Sequence, residues 1–349
     1  MKPLFLPANR PPRFFRGGGE IARLRGLDAG GDRLPEDWVA STTTIFTEPD
    51  AGRTRLPDGR WLTDAIAADP QGWLGATHAD HYGADPALLV KLLDAGQRLP
   101  VHCHPDRDFT RRHLDCRYGK TEAWVVAATG VGEPVVHLGF RSDVERPVLD
   151  EWVTTQNAAA MLDAMNAVPV TVGNTVLVPA GLPHAIGEGV FVVELQEPTD
   201  FSVLLEWDGF EVDGSVDGHL RLGFELALAC VDRSGWDQIR LSQLRTTRPQ
   251  AADRCGVEVL FPASADACFR GERLRPQPTA QLDAGYSVLV ALRGRGRLTT
   301  ERAGSYDITR GDTVLLPYAV GRAAVAGDLL AVRCRPPAAE MPASLRGPR

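Results

Sequence analysis

A chain of 349 residues exceeds what one ordinary hydrophobic core serves, so two domains are expected. Its hydrophobic content of 44% and charged content of 24% are those of a globular protein. A net charge of −7 with no basic block argues against a nucleic-acid groove or an anionic membrane surface, and no apolar run approaches the roughly 20 residues that span a bilayer.

Residues 1–60 are rich in Gly, Pro and Arg, with a short strand-like run from Trp38 to Phe46; MKPLFLPANRPPR lacks the apolar core of a secretory leader. Trp61 to Leu74 has apolar residues at helical spacing. Ala87 to Ala95 (ALLVKLLDA) is a continuous apolar run, a buried strand or a short helix, whose one lysine must snorkel or meet an anion. From Pro100 to Gly139 the chain reads as strands: PVHCH, EAWVVAAT and EPVVHLGF. A helical pattern follows from Arg141 to Asn166, then strand from Val168 to Val178 and a tight turn at Gly181-Leu182-Pro183. Gly189 to Leu205 reads as two strands broken at Pro198, His219 to Asp232 as an amphipathic helix, and Trp236 to Gln250 as a linker or lid.

Beyond Cys255 short strands return: VEVLF, CFRGERL, YSVLVALRG, GRLTTE, SYDITR, DTVLLP and DLLAVRC. Regular Gly, Pro and Asp turns between them predict a second sandwich or barrel. Gly173-Asn-Thr-Val-Leu-Val-Pro179 is echoed by Gly311-Asp-Thr-Val-Leu-Leu-Pro317, a faint internal repeat. No histidine lies beyond His219, so only the first copy can hold a histidine metal site. The expected division is 1-250, carrying the site, and 251-349, a degenerate copy without ligands.

The cysteines at 103, 116, 230, 255, 268 and 334 form no CxxC pair, a reduced, cytoplasmic pattern. Lysine occurs only at positions 2, 91 and 120, the other basic residues being arginine. A chain so biased to arginine that keeps Lys91 and Lys120 has a use for a compact ammonium there.

His102 and His104, two apart on a strand, share a face, while Cys103 between them points away. Glu122 opens the next strand, and His184 follows the turn Gly-x5-Pro-x-Gly-x2-His. HxH…E…GxxxxxPxGxxH is the metal-binding pattern of the cupin barrels, which places His102, His104, Glu122 and His184 around one ion. Imidazole and carboxylate suit zinc, with manganese, iron and nickel also compatible. His78, His81, His113 and His137 match no motif.

With these residues in hand, the chain resembles the class I mannose-6-phosphate isomerases, zinc-dependent cupin enzymes that interconvert mannose 6-phosphate and fructose 6-phosphate. The likeness rests on Trp38-Val-Ala-Ser41, Leu88 to Ala95, His104-Pro-Asp106, Tyr118-Gly-Lys-Thr-Glu122, Val178 to Ile186, and Glu194 with Asp200. It implies a mainly β fold of two cupin-type jelly-roll barrels with short helical insertions. It also implies metal ligands at 102, 104, 122 and 184, substrate-lining lysines at 91 and 120, and a carboxylate at 194 near the reacting carbons. Lys120 or Glu194 is expected as the catalytic base, and Asp200 as a turn residue. The partner is then a small sugar or sugar phosphate, with the oligomeric state unread.

Three departures stand out. His102 replaces the family's glutamine ligand, Pro100 replaces a serine associated with the phosphate end, and Leu204 replaces an arginine. A lost preorganised donor costs roughly 2.7–4 kcal/mol of transition-state stabilisation, so an altered or unphosphorylated sugar enters as a substrate. Two readings of other classes remain open: a metal-bearing sugar-binding or regulatory cupin without turnover, and a cupin oxygenase, since three His and one Glu is also an iron set in that superfamily.

Overall fold

The structure, a computed structural model, describes residues 1–28, 30–130, 132, 134–245 and 256–338. Two five-stranded antiparallel sheets pack face to face in the N-terminal part. One runs Glu36–Val39, Leu89–Asp94, Val190–Gln196, Glu122–Thr129, Thr175–Val178; the other runs Val203–Leu204, His102–Cys103, His184–Ile186, Val135–Phe140, Met165–Pro169. Their facing side chains, among them Leu93, Trp124, Val126 and Val192 from the first and Val136, Leu138 and Ile186 from the second, form one buried cluster. This is the jelly-roll sandwich that the cupin pattern and the resemblance imply.

The apolar run at 87–95 resolves as the strand Leu89–Asp94, buried at every position. Both faces of its sheet are covered, which is why the run shows no alternation. Its outer face (Leu88, Val90, Leu92, Val125, Val193) packs on the helices Leu62–Ala68 and Pro70–Leu74 and on Phe261, Phe269, Val288 and Val332 of the C-terminal part. The second sheet's outer face, with Val101, Cys103 and Ala185, is covered by Leu149 and Val153 of the helix Arg146–Thr154 and by Met161 of the helix Ala158–Ala164.

The C-terminal part is an eight-stranded antiparallel sheet around the long strands Ser287–Thr300 and Ala323–Arg335, with its own core of Leu289, Leu298, Val314, Val325 and Leu329. The internal repeat is structural. Thr175–Val178 and Thr313–Leu316 each follow a glycine of positive φ, Gly173 at 92° and Gly311 at 93°. The division at 250/251 falls on residues outside those described, and the N-terminal strand Leu4–Phe5 pairs with Val314 and Leu315 in the C-terminal sheet.

Two expectations at the level of elements are corrected. The stretch His219–Asp232 is not one amphipathic helix. Positive φ at Leu220 (54°), Arg221 (62°) and Gly223 (79°) breaks it, leaving Phe224–Ala227 and the 3-10 turn Leu228–Cys230. The helical pattern from Arg141 to Asn166 splits at Gln156 (φ 52°), and Met165 and Asn166 already belong to a strand. Trp236 is largely buried and precedes the helix Gln238–Leu244, which seats Leu241 and Leu244 in the sandwich core; residues 246–250 of the expected linker lie outside the described set.

Candidate metal centre and pocket

The two facing sheets deliver the predicted residues to one place. His102 and His184 are direct cross-strand partners in one sheet. In the other, Lys91, Glu194 and Trp124 form a row across three strands, with Glu122 two residues before Trp124 on the same face. His104 has left the ladder. Its carbonyl accepts from Gly181 N at 2.7 Å, and Pro105 leads into Asp106, which caps the helix Arg107–His113 through Phe109 N at 2.7 Å.

Each of the three imidazoles is oriented by a backbone carbonyl. His102 Nδ1 lies 2.8 Å from Pro100 O, His104 Nδ1 2.8 Å from Phe201 O, and His184 Nδ1 2.8 Å from Leu182 O. A carbonyl only accepts, so each Nδ1 carries the proton and each Nε2 presents a bare lone pair. The three rings converge, with one ligand atom from each within 4.8 Å of the others, the one such group among the described residues. Glu122 closes the set: Oε1 lies 2.9 Å from His104 Nε2 and Oε2 lies 3.7 Å from His184 Nε2. His184 Nε2 is buried without a hydrogen-bond partner.

Lone pairs facing a carboxylate across 2.9 Å repel unless a cation sits among them. Part of that demand is met by Lys120, whose Nζ lies 3.1 Å from Glu122 Oε1 and 3.3 Å from His104 Nε2. Nothing described satisfies His184 Nε2. Three neutral imidazoles and one carboxylate, each ring fixed by an outer partner, fit a divalent metal ion.

Electrostatics agree with ligands held ready. Burial, reinforced by its histidine neighbours, drives the His102 pKa well down; burial, then Lys120, takes His104 to about 3, and burial lowers His184. Burial alone would raise Glu122, but His104 and Lys120 outweigh it and hold the carboxyl well below its usual range. Glu194 goes the other way: burial first, then the Glu122 charge, push it well up. Trp124 Nε1 bridges the two carboxylates, at 3.2 Å from Glu122 Oε2 and 3.0 Å from Glu194 Oε1. Glu194 Oε2 is buried without a hydrogen-bond partner.

The lysine of the apolar strand does meet anions. Lys91 is 2% exposed, with Nζ 3.4 Å from Glu36 Oε1 and 3.9 Å from Glu194 Oε2, and it stacks over Trp38 at 4.6 Å. Burial pulls its pKa down, and Glu36 and Glu194 more than restore it. Asp200 is more than a turn residue: its side chain is buried and pairs with Arg13 Nη2 at 3.2 Å, while Arg13 Nε lies 3.3 Å from Glu36 Oε2. Sequence reasoning missed Glu36 and Arg13. Glu36 had a signal, since alternation from Trp38 puts it on the same strand face.

The pocket between the sheets is lined by His102, Lys120, Glu122, His184, Glu194 and Lys91, and at its outer end by Arg13, Phe14, Pro100, Ser202 and Leu204. Arg13, Phe14, Ser202 and Leu204 also border a groove of about 370 Å³. The groove adds Glu48, Asp200, Glu211 and Asp217. Leu204 sits directly across from His102.

No family model matches the chain. It is 24% identical over 335 residues to a mannose-6-phosphate isomerase of Streptococcus mutans, covering 94% of this chain and 96% of that protein. It is 25% identical over 238 residues to mannose-6-phosphate isomerase ManA of Bacillus subtilis, covering 67% and 70%. Over nearly its whole length the chain is similar to mannose-6-phosphate isomerases, at the low identity of a divergent relative. Solved structures of such isomerases share its fold. The Bacillus subtilis mannose 6-phosphate isomerase superposes with a TM-score of 0.74 at 19% identity, over 96% of this chain and 100% of that one. A mannose 6-phosphate isomerase bound with zinc and yttrium gives 0.73 at 14% identity, over 97% and 100%. In this chain the backbone carbonyl of Pro100 is what orients His102.

Proposed function

We propose that this protein is a metal-dependent aldose–ketose isomerase acting on a sugar without a phosphate. The observation that carries the reading is the convergence of three carbonyl-anchored imidazoles on Glu122, beside a second carboxylate, Glu194, whose Oε2 has no hydrogen-bond partner. His102, His104, Glu122 and His184 would hold the ion, zinc first among the divalent metals such ligands take. A divalent ion there supplies Lewis-acid polarisation of the O1/O2 oxygens.

The remaining chemistry belongs to the chain. Isomerisation moves a proton between C2 and C1, which needs one group that accepts and returns it. Glu194 suits this role: burial and then the Glu122 charge raise its carboxyl well above the usual carboxylate range, and its Oε2 has no hydrogen-bond partner. Lys120, within 3.1 Å of Glu122, donates to substrate oxygens as charge develops on them, and Lys91 keeps Glu194 in place from the opposite side. Burial of the pocket walls, including Phe15, Leu93, Leu99 and Ile186, keeps water from the reacting carbons.

The case against a phosphate rests on charge. Every cation lining the pocket is already paired: Arg13 with Asp200 and Glu36, Lys91 with Glu36 and Glu194, Lys120 with Glu122. Where the family carries a serine and an arginine stand Pro100 and Leu204, and the adjoining groove is rimmed by acids. A dianionic phosphate would enter this end with no free donor and against that field. The test is a screen of free aldoses and mannose 6-phosphate for ketose formation, with metal content measured on the same sample. Turnover of a free aldose above mannose 6-phosphate is the expected result; no turnover of any sugar at full metal occupancy overturns the enzyme reading in favour of a sugar-binding protein. Iron with oxygen uptake would point instead to an oxygenase.

A further inference from the structure

A second concentration of buried charge lies in the C-terminal sheet, away from the metal pocket. Arg270 and Glu272 on one strand face Arg335 and Arg333 on the next. Arg333 reaches Glu272 at 3.2 Å and Asp283 at 2.8 Å, and Arg335 reaches Glu272 at 3.0 Å and also pairs with Asp283. Three guanidiniums therefore share two carboxylates. Arg270 is the one left over: its Nε donates to Pro336 O at 2.9 Å, and it forms no ion pair among the described residues. Burial and then Arg335 push its pKa down to about 10, against the Asp283 and Glu272 charges that raise it.

Arg270 and Arg335 line a groove of about 290 Å³ between the helix Ala76–Tyr82 and this sheet, together with Thr77, His78 and Tyr286. Two of these side chains carry buried polar atoms without partners. Tyr286 is 3% exposed and its hydroxyl has none, and Arg335, 5% exposed, has none at Nε. Buried donors in native proteins are nearly always satisfied, so two orphans on one groove beside an unmatched guanidinium point to a ligand.

We propose that this groove binds a small oxyanion, a phosphate or carboxylate group, through Arg270 with Tyr286 and Arg335. The planar guanidinium offers paired N–H donors matched to the oxygens of either group, and the phenol adds a third direction. One bound anion brings the three cations and two carboxylates into balance. The groove shares no lining residue with the metal pocket, so the proposal stands independently of the isomerase reading.

The test is calorimetric titration of chelator-treated protein with inorganic phosphate, and separately with acetate, at constant ionic strength against a chloride control. Saturable binding of either anion is expected. It should survive chelation and weaken about tenfold or more in Arg270→Gln and in Tyr286→Phe, the scale of one charge-assisted hydrogen bond. The tighter of the two anions identifies the group recognised. Should Arg270→Gln fail to fold, Tyr286→Phe decides, since it keeps the buried ring. Binding no better than chloride, binding lost on chelation, or binding unchanged in the folded variants overturns the proposal.

Discussion

His104 Nε2 and Glu122 Oε1 lie 2.9 Å apart although both present lone pairs, because the proton of the ring is committed at Nδ1 to Phe201 O. Lys120 Nζ, 3.1 Å from Glu122 Oε1 and 3.3 Å from His104 Nε2, meets part of the demand for a cation there, and the unpartnered His184 Nε2 leaves the rest to a metal ion. One divalent ion per chain is therefore expected on purified protein, and its removal should lower the melting temperature. His184→Gln should weaken metal binding by at least the 10–100-fold seen for loss of an outer-shell partner. Elemental analysis and a melt before and after chelation check this; a melt unmoved by chelation would count against the site.

Glu194 and Glu122 are both tied to the Trp124 indole, yet only Glu122 is matched by cations at close range. Glu194→Gln should keep the metal and the fold and lower kcat by about 10²–10⁴, the usual worth of a general base. Metal content and steady-state rates on the same preparation are the measurement. A variant that loses its ion, or one with unaltered kcat, would remove Glu194 from the proton path.

Leu204 faces His102 across the strand pair at the pocket's outer end. Installing the family's donors, Leu204→Arg with Pro100→Ser, should improve kcat/KM on mannose 6-phosphate by about 10²–10³, the scale of one regained electrostatic donor. The serine keeps a backbone carbonyl for His102, so the metal should stay bound. Competition by mannose 6-phosphate no stronger than in the parent protein would show that these two positions do not set phosphate preference.

His137, paired across the ladder with Ala185 beside the ligand His184, supplies a pH dependence from outside the ligand set. Burial, then Arg98, lowers its pKa below the ordinary 6.5, and its Nδ1 is buried without a partner. Below about 6.5 the unfolded chain takes up a proton that the folded one resists, so stability is full above that pH and falls as the pH drops toward the lowered value. Buried His78, lowered chiefly by burial, adds in the same direction. Urea melts at pH 7 and pH 5 should show a smaller loss in His137→Gln than in the parent. An identical loss would remove His137 from the account.

Much of the metal centre was legible because its geometry is local. An i, i+2 pair on a strand, and a histidine fixed by a Gly-Pro turn, carry their orientation in the sequence. The lumen partners that come from distant strands were harder to see. Glu36 and Arg13 reach Lys91 and Asp200 only through sheet pairing and loop closure; alternation from Trp38 names the face of Glu36 but not its partner, and a lone arginine in a Gly- and Pro-rich segment has no local signature. The same holds for Leu4–Phe5, whose partners lie at 314–315. The amphipathic pattern at 219–232 misled because periodicity does not register the positive φ that Leu220 and Arg221 adopt.

The most direct test is to titrate zinc back into chelator-treated protein while following ketose formation from a free aldose that the screen identifies. Activity should rise linearly and break at one equivalent per chain, with His104→Gln showing no rise. Full activity in the metal-free protein, or none at saturating metal with any sugar, would contradict it.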